Sequence, residues 1–374
     1  MNSKSFQILS VTAVIAVVLA AVSVSRQPKF ESTDFAGERV FPALAGDLAK
    51  NKLKTVVIRQ REETYRIDRD GATWRVRERD NFAADSKKVD ELILKIARLD
   101  KLEGKTSLPE RYERLDLQEP DAKDSRAKEV KLLDSDGKEL ASLVVGKRKF
   151  TLGSKEGGTY IRLPGTAQTF LASGELSPGE KMRDWLVRDV VDIKDKQIKK
   201  VTVQHPDGEK VIVGKEAATD PSFKILNLPA GMEPASDFAA DDFGRVLSVF
   251  LLDDVKKDSG EAFPADKTIR AEFEGFDGFR VLIDYAELDG QNWVKVRAEA
   301  PSAATPPQPA GSGTTAGATG ATAEPATDWA AKVAEINARS TGWVFQVPAY
   351  EVNALKKKMA ELAKKPEAKA DAKS

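Results

Sequence analysis

The stretches FAADSKKVDELILKIARLDKL (82–102) and FAADDFGRVLSVFLLDDV (238–255) begin with the same four residues, and the sequences around them decide the fold. Each stretch predicts an amphipathic helix, because apolar residues recur at intervals of three to four. In the first these are Val89, Leu92, Ile96 and Leu99, and in the second Phe243, Val246, Leu247, Phe250 and Leu251. Asp85 or Ser86 is the expected cap of the first helix.

The segments that flank the two helices follow in the same order. Before the first helix, apolar and polar residues alternate in 53–67 and 72–76, on either side of the turn Asp70-Gly71. Before the second helix, they alternate in 198–214 around Asp207-Gly208. Asp-Gly pairs between alternating runs predict β-hairpins. After each helix the sequence predicts another hairpin and a strand that ends near a proline. In the first half these segments are 129–146 and 158–173. In the second half they are 268–286, 292–300 and 341–359.

The matched order predicts an α+β fold with an N-terminal transmembrane helix followed by two tandem, similar units of antiparallel β-meander plus helix. The expected first unit is 50–178 and the second is 198–363, as the length of 374 residues also suggests. Residues 179–197 form an expected packed connector, with apolar Met182, Trp185, Leu186, Val190 and Val191.

Two further segments have biased composition. Residues 301–327 consist of Ala, Thr, Pro, Gly, Ser and Gln with one Glu, which predicts a disordered loop inside the second unit. An interdomain linker is the alternative. A short helix is expected over 329–340, and residues 364–374 are expected to be a disordered tail.

An uncharged run at residues 6–25, FQILSVTAVIAVVLAAVSVS, is long enough to cross a bilayer as a helix. It predicts a membrane anchor within residues 1–30, contact with the lipid bilayer through 6–25, and a single-pass protein of the bacterial inner membrane with its body in the periplasm. The alternative is a cleaved signal peptide with a small-residue site at AVS, 21–23. The flanking charges leave the orientation weakly defined.

Composition excludes several classes of chemistry. Lys+Arg and Asp+Glu both number 59, so no net basic charge favours nucleic acid, and no nucleic-acid partner is expected. There are no cysteines, and the single histidine, His205, lies in VQHPDG, where a surface turn is expected. We therefore predict no catalytic, cofactor-binding or metal-binding residues and no cofactor.

Local motifs that resemble ligand sites have simpler structural interpretations. EGKT (103–106) lacks the first glycine of a P-loop, and Gly104 is expected to end a helix. DSDGKE (134–139) lacks calcium-loop spacing and predicts a hairpin turn. Asp241-Asp242 are expected to cap the second helix, whereas Asp253-Asp254 at its other end have no evident role. The lysines of 355–365 predict a solvated helix face.

The order of these segments resembles a known family. Six segments follow one another as in the bacterial family of domain of unknown function 4340. They are the anchor, YRIDRDGATWRV, the helix from residue 82, YERLDLQEP (112–120), the hairpin from 130 and INARSTGWVFQVPAYEVNALKK. That family often has Tyr-Gly-Leu-Asp-x-Pro where this chain keeps Tyr112, Leu115, Asp116 and Pro120. The resemblance covers about residues 50–360. It implies a repeated α+β domain on a membrane anchor and association with gliding-type ABC transporter components, and it supplies no catalytic residues.

Three functions remain open from the sequence. The first is a non-enzymatic, membrane-anchored extracytoplasmic accessory or scaffold protein that works with an ABC-type permease and ATPase, using sheet edges or a groove. The second is a periplasmic module that binds a glycan, peptide or lipid in a cleft between the two units. The third is a carboxylate-dependent hydrolase.

Overall fold

The computed structural model describes residues 37–44, 52–61, 63–150, 158–260, 263–301 and 327–366. The predicted anchor at 1–30, most of the predicted loop at 301–327 and residues 367–374 of the predicted tail lie outside these ranges. Among the described residues, no helix combines the length and the apolar character needed to cross a bilayer. Every strand pairing given for the described chain is antiparallel, and with the few helices this makes an α+β fold.

The described chain divides into two compact units. Unit 1 contains the described residues of Met1–Leu53, Val57–Thr64 and Leu92–Pro178, and unit 2 contains Lys54–Val56, Tyr65–Glu91 and Gly179–Ser374. The division at 178/179 is the one expected between the first unit and the connector. Residues 65–91, however, pack with the second half of the chain. The proposed duplication of one domain stays a prediction.

Before residue 179 the described strands are β1 (Glu38–Arg39), β2 (Leu53–Arg59), β3 (Thr64–Asp70), β4 (Thr73–Val76), β5 (Phe82–Ala83), β6 (Asp100–Gly104), β7 (Lys128–Asp134), β8 (Glu139–Lys149), β9 (Gly158–Arg162) and β10 (Thr169–Ser173). In unit 1 they follow the order β1-β6-β10-β9-β8-β7-β2. The hairpins predicted from alternation are confirmed, since β7 pairs with β8 and β9 with β10. Val130, Leu132 and Leu143 are buried in this unit.

Strands β3, β4 and β5 form an antiparallel meander around the predicted Asp70-Gly71 turn, and its described contacts join it to unit 2. The indole of Trp185 donates a hydrogen bond of 3.1 Å to the hydroxyl of Tyr65. The ring of Phe82 packs edge-to-face on Trp343, with centroids 5.0 Å apart. Chain segments far apart in sequence therefore share one core.

From residue 179 the described strands are β11 (Asp189–Val191), β12 (Ile198–Gln204), β13 (Lys210–Gly214), β14 (Lys224–Ile225), β15 (Glu233–Pro234), β16 (Phe250–Leu251), β17 (Asp254–Lys257), β18 (Ile269–Gly275), β19 (Arg280–Leu288), β20 (Gln291–Glu299), β21 (Trp343–Gln346) and β22 (Ala363–Lys364). Eight of them form one sheet in the order β14-β13-β12-β18-β19-β20-β21-β17, and β11-β16 and β15-β22 are separate pairs. The predicted hairpins β12-β13 and β18-β19 are confirmed. The apolar connector residues, including Trp185 and Leu186, are buried.

The described α-helices are α1 (Ser86–Ala97), α2 (Asp241–Arg245), α3 (Trp329–Ser340), α4 (Ala349–Lys356) and α5 (Met359–Leu362). Helix α1 has the predicted periodicity, and Asp85 caps it by accepting a bond of 3.3 Å from the amide of Lys88. Helix α3 also lies where the sequence predicts it.

The predicted second helix is mostly wrong. Helix α2 ends at Arg245, and Phe250–Leu251 form strand β16 instead of continuing the apolar face. Two local causes are visible. Gly244 weakens the helix interior, and a side chain cannot replace it because a Cβ there would lie 2.1 Å from the ring of Phe223. Val249 then takes a positive φ of 62°, which ends any helical path.

Candidate interaction surface

The acidic pair Asp253-Asp254, which the sequence leaves without a role, is held by arginines in unit 2. Arg79 binds Asp254 through both carboxylate oxygens; the Nη2–Oδ2 distance is 2.9 Å. Arg183 and Arg188 both approach Oδ1 of Asp253, at 2.7 and 3.4 Å. A two-pronged guanidinium–carboxylate pair fixes geometry as well as charge. These carboxylates therefore hold residues 79, 183 and 188 to the start of β17.

The other acidic pair does not cap its helix as predicted. Asp241 is buried, and its carboxylate accepts a hydrogen bond of 2.8 Å from the amide of Phe223. Asp242 instead forms an ion pair of 2.7 Å with Lys357. The residue at the N-cap position is Ala240, whose methyl side chain has no hydrogen-bond acceptor. Both carboxylates therefore interact with residues distant in sequence instead of capping the helix.

His205 is buried, with 3% of its surface exposed, so the predicted surface-turn histidine is wrong. Its Nε2 lies 3.2 Å from the carbonyl oxygen of Lys357. Because a carbonyl only accepts, Nε2 carries the proton in this contact. The same turn contributes Asp207, whose pKa is lowered chiefly by its hydrogen bond with Lys358.

The predicted solvated helix face at 355–365 is also wrong in its basic part. The helix breaks after Lys356, and each of the three consecutive lysines has its own acidic partner. Lys356 approaches Glu287 at 3.3 Å, Lys357 pairs with Asp242, and Lys358 pairs with Asp207 and Glu209. These lysines therefore secure the segment between α4 and α5 to the rest of unit 2.

The loops that resemble ligand sites have structural roles. Gly104 ends strand β6, so the predicted helix cap is wrong. The segment 103–106 also does not lie between a strand and an α-helix, as a P-loop does. The turn after β7 is confirmed: Oδ1 of Asp134 accepts bonds of 2.9 Å from the amides of Asp136 and Lys138. Within the described ranges, no group of three or more His, Cys, Asp or Glu side chains is arranged to hold a metal ion.

The segment 112–120, which carries part of the family resemblance, locks a loop over the sheet of unit 1. The hydroxyl of Tyr112 donates to the carbonyl of Ala167 at 2.5 Å, and the guanidinium of Arg162 lies 5.1 Å above its ring. Asp116 adopts a left-handed conformation with φ of 54°. The loop passes so close to β8 that a Cβ on Gly146 would lie 2.2 Å from the carbonyl oxygen of Leu115.

Strand edges are poor docking sites among the described residues. In the eight-stranded sheet, one end strand, β14, has only two residues. The other, β17, has four, and its exposed positions are Lys256 and Lys257. Short edges with lysines are the usual protection of a sheet against strand addition. The two end strands of this sheet therefore do not favour the edge-strand mode expected from the sequence.

Two segments of unit 2 that are tied to each other at both ends each expose a large side chain near the same end. At one end Lys357 pairs with Asp242, and at the other the amide of Leu251 donates a 3.4 Å bond to Oε1 of Glu351. Residues 242–251 thus run antiparallel to 351–357. Val249 and Tyr350 lie at the second end, and they are 47% and 66% exposed. We call Arg245, Val249 and Tyr350 the Val249–Tyr350 patch.

Two features distinguish this patch from ordinary exposed apolar residues. Val249 is β-branched and has a φ of 62°, a conformation that such residues rarely adopt and that carries strain. Arg245, on the segment between the two ties, is exposed and forms no ion pair with any described residue. The three residues are thus a cation without an ion pair among the described residues, an exposed tyrosine, and an exposed valine whose own backbone is strained.

The electrostatics next to the patch are also perturbed. Burial raises the pKa of Glu351, and the nearby Asp253 adds to this effect, while the amide of Leu251 and the charge of Arg188 oppose it. The glutamate therefore holds its proton more readily than a glutamate in water. Burial therefore disfavours the charged form of Glu351 despite the nearby arginine.

Sequence reasoning missed this surface. The second stretch was interpreted as a continuous helix, which places Val249 on a solvated face and gives it no special conformation. The signals that were present are Gly244 and the β-branched Val246 and Val249, all of which weaken a helix.

Comparison with protein-family models matches residues 74–241 to one model, described as Domain of unknown function (DUF4340). This confirms the resemblance drawn from the order of motifs. No curated protein and no solved structure matches the chain significantly.

Proposed function

Because residues 74–241 match the DUF4340 family model, we propose that this chain is a non-enzymatic, membrane-anchored accessory protein that docks onto an ABC-type membrane transport complex. The location follows from the uncharged run at 6–25, and the class of partner follows from the family resemblance. The body would lie outside the cytoplasm, in the periplasm.

The observation that carries the proposal is the Val249–Tyr350 patch. Tyrosine and arginine are enriched at the energetic centre of protein interfaces. A strained residue persists only where the surrounding structure holds it, and such residues cluster at functional sites. Val249 directs an apolar side chain outward at a position that Gly or Asn would occupy with less strain.

The acidic pair Asp253-Asp254 supports a structural role for these carboxylates rather than a hydrolytic one. A carboxylate hydrolase needs acidic groups free to exchange protons. Asp253 and Asp254 are instead engaged by Arg79, Arg183 and Arg188. Their chemistry is that of structural ion pairs.

The test is capture of the full-length, tagged protein from native membranes in mild detergent, followed by mass spectrometry. We expect a permease and an ATPase with the wild-type chain, and their loss from the double variant Val249→Asn, Tyr350→Ala. The matched control is Leu226→Ala, which removes another exposed apolar side chain of unit 2. Absence of any transporter component from the wild-type capture, even after crosslinking, would overturn the proposal; retention by the double variant would overturn the assignment of the patch.

A further inference from the structure

Strand β8 in unit 1 extends past its neighbour and ends in a basic and aromatic sequence. Its pairing with β7 stops where Val145 meets Lys128, yet the strand continues to Lys149. On the other side, Arg148 and Lys149 still pair with the start of β9. The sequence of this end is Lys147, Arg148, Lys149 and Phe150, which we call the β8 tip.

All four residues of the tip are exposed, and Phe150 has 73% of its surface in contact with solvent. A phenylalanine this exposed leaves most of a large apolar surface in water. The guanidinium of Arg148 lies 5.5 Å from its ring centroid, so cation and ring form one unit.

The charges of the tip are largely uncompensated. Lys147 and Lys149 form no ion pair with any described residue. Arg148 has one acidic neighbour, Glu175, at 3.5 Å, and both of these side chains are well exposed to solvent. This contrasts with the lysines between α4 and α5, each of which has an acidic partner. Lys147 and Lys149 are therefore cations that no other described residue pairs with.

We propose that the β8 tip binds a bilayer surface rich in anionic lipid, with Phe150 entering the boundary between headgroups and acyl chains. Aromatic rings favour this boundary, and neighbouring Lys and Arg are attracted to anionic headgroups. The inference rests on the membrane location proposed above and does not involve the Val249–Tyr350 patch.

The geometry favours a membrane over an acidic protein. Arg148 and Lys149 pair with consecutive residues of β9, so their side chains point to opposite faces of the strand and cannot both meet a partner docked on one face of the sheet. A bilayer approached by the end of the strand contacts side chains on both faces at once. Phe150, the last residue of the tip, is then the deepest.

The experiment exploits the absence of cysteine from the chain. The full-length protein, reconstituted in phosphatidylcholine vesicles with and without phosphatidylglycerol, carries one environment-sensitive NBD label at Phe150→Cys. We expect a blue-shifted emission and quenching by spin-labelled lipid only when phosphatidylglycerol is present. The same label at Leu226→Cys serves as the control and should remain solvent-like.

Removing the positive charges of the β8 tip tests the electrostatic contribution to membrane binding. A contribution of about fivefold per cation predicts that Lys147→Gln, Arg148→Gln and Lys149→Gln together lower the ratio of inserted to exposed label roughly a hundredfold. Hydrogen exchange of residues 147–150 in the unlabelled wild-type chain gives a second readout and should slow only with phosphatidylglycerol.

A solvent-like label in both vesicles, with no slowing of exchange, would overturn the inference. So would crosslinking of a photoreactive label at Phe150→Cys to a protein in native membranes, if the NBD label at the same position shows no quenching by spin-labelled lipid. Transporter capture separates this result from the proposed function, because the triple glutamine variant should still recover the permease and ATPase.

Discussion

Replacing Val249 by Asn and by Ala should separate the strain of its backbone from the packing of its side chain. An L-residue in the left-handed region costs about 1–2 kcal/mol, and Asn is one of the few that adopts it readily. Ala retains a Cβ and most of this penalty. The φ of 62° therefore predicts that the two substitutions differ in their effect on stability.

The magnitude follows from the exposure of the side chain. Full burial of valine contributes about 1.5 kcal/mol. Since Val249 is 47% exposed, either substitution forfeits roughly half of that, about 0.8 kcal/mol. Ala should therefore destabilise by about that amount, whereas Asn regains about 1 kcal/mol of strain and should be close to neutral. The expected difference is about 1 kcal/mol in favour of Asn.

The assay is chemical denaturation followed by tryptophan fluorescence. All five tryptophans of the chain, Trp74, Trp185, Trp293, Trp329 and Trp343, belong to unit 2, so the signal reports on the unit that contains Val249. Leu226, which is exposed and has no positive φ, is the matched site; there Asn should be no better than Ala. If Val249→Asn unfolds at the same or a lower denaturant concentration than Val249→Ala, the strain argument is refuted.

Three further predictions concern packing and pH. Phe82→Ala should destabilise unit 2 by about 3–5 kcal/mol, since it removes a buried ring that packs on Trp343; an unchanged tryptophan-detected midpoint would contradict the assignment of residues 65–91 to that unit. Glu351→Gln should stabilise unit 2 at neutral pH, because a raised pKa means that folding disfavours the charged carboxylate. The gain should grow as the pH rises from the usual glutamate pKa of about 4.3 through the raised value, and should vanish in acid; equal gains at all pH values would argue against it. Gly146→Ala should destabilise unit 1 by about 1–3 kcal/mol, because its Cβ would meet the backbone oxygen of Leu115, and hydrogen exchange in residues 109–117 should quicken; unchanged exchange would speak against the tight contact.

Elements governed by local sequence were predicted well. The hairpins at Asp70-Gly71 and Asp207-Gly208 and the hairpin predicted within 268–286 are present because an Asp-Gly turn and alternating strands act over a few residues. Helix α1 follows from its own periodicity and cap. The family resemblance, which a family model matches over residues 74–241, also came from sequence, because it depends on the order of such elements and not on any single contact.

The candidate surface could not be predicted in the same way. Arg79 meets Asp254 across 175 positions, and His205 meets Lys357 across 152. Nothing near Asp254 or His205 in the sequence signals these partners. The roles of the acidic pairs, the histidine and the three lysines were therefore incorrectly predicted or left open.

The sequence by itself determined the α+β class, most hairpin positions, the first helix and the family, since each depends on short-range propensity and spacing. Only the tertiary structure decided that residues 65–91 complete unit 2, that the second helix stops at Arg245 and that Val249 turns outward. These outcomes depend on the ring of Phe223 against Gly244 and on ion pairs between distant residues. Such contacts exist only after the chain has folded, so their energies override local preference without leaving a local signature.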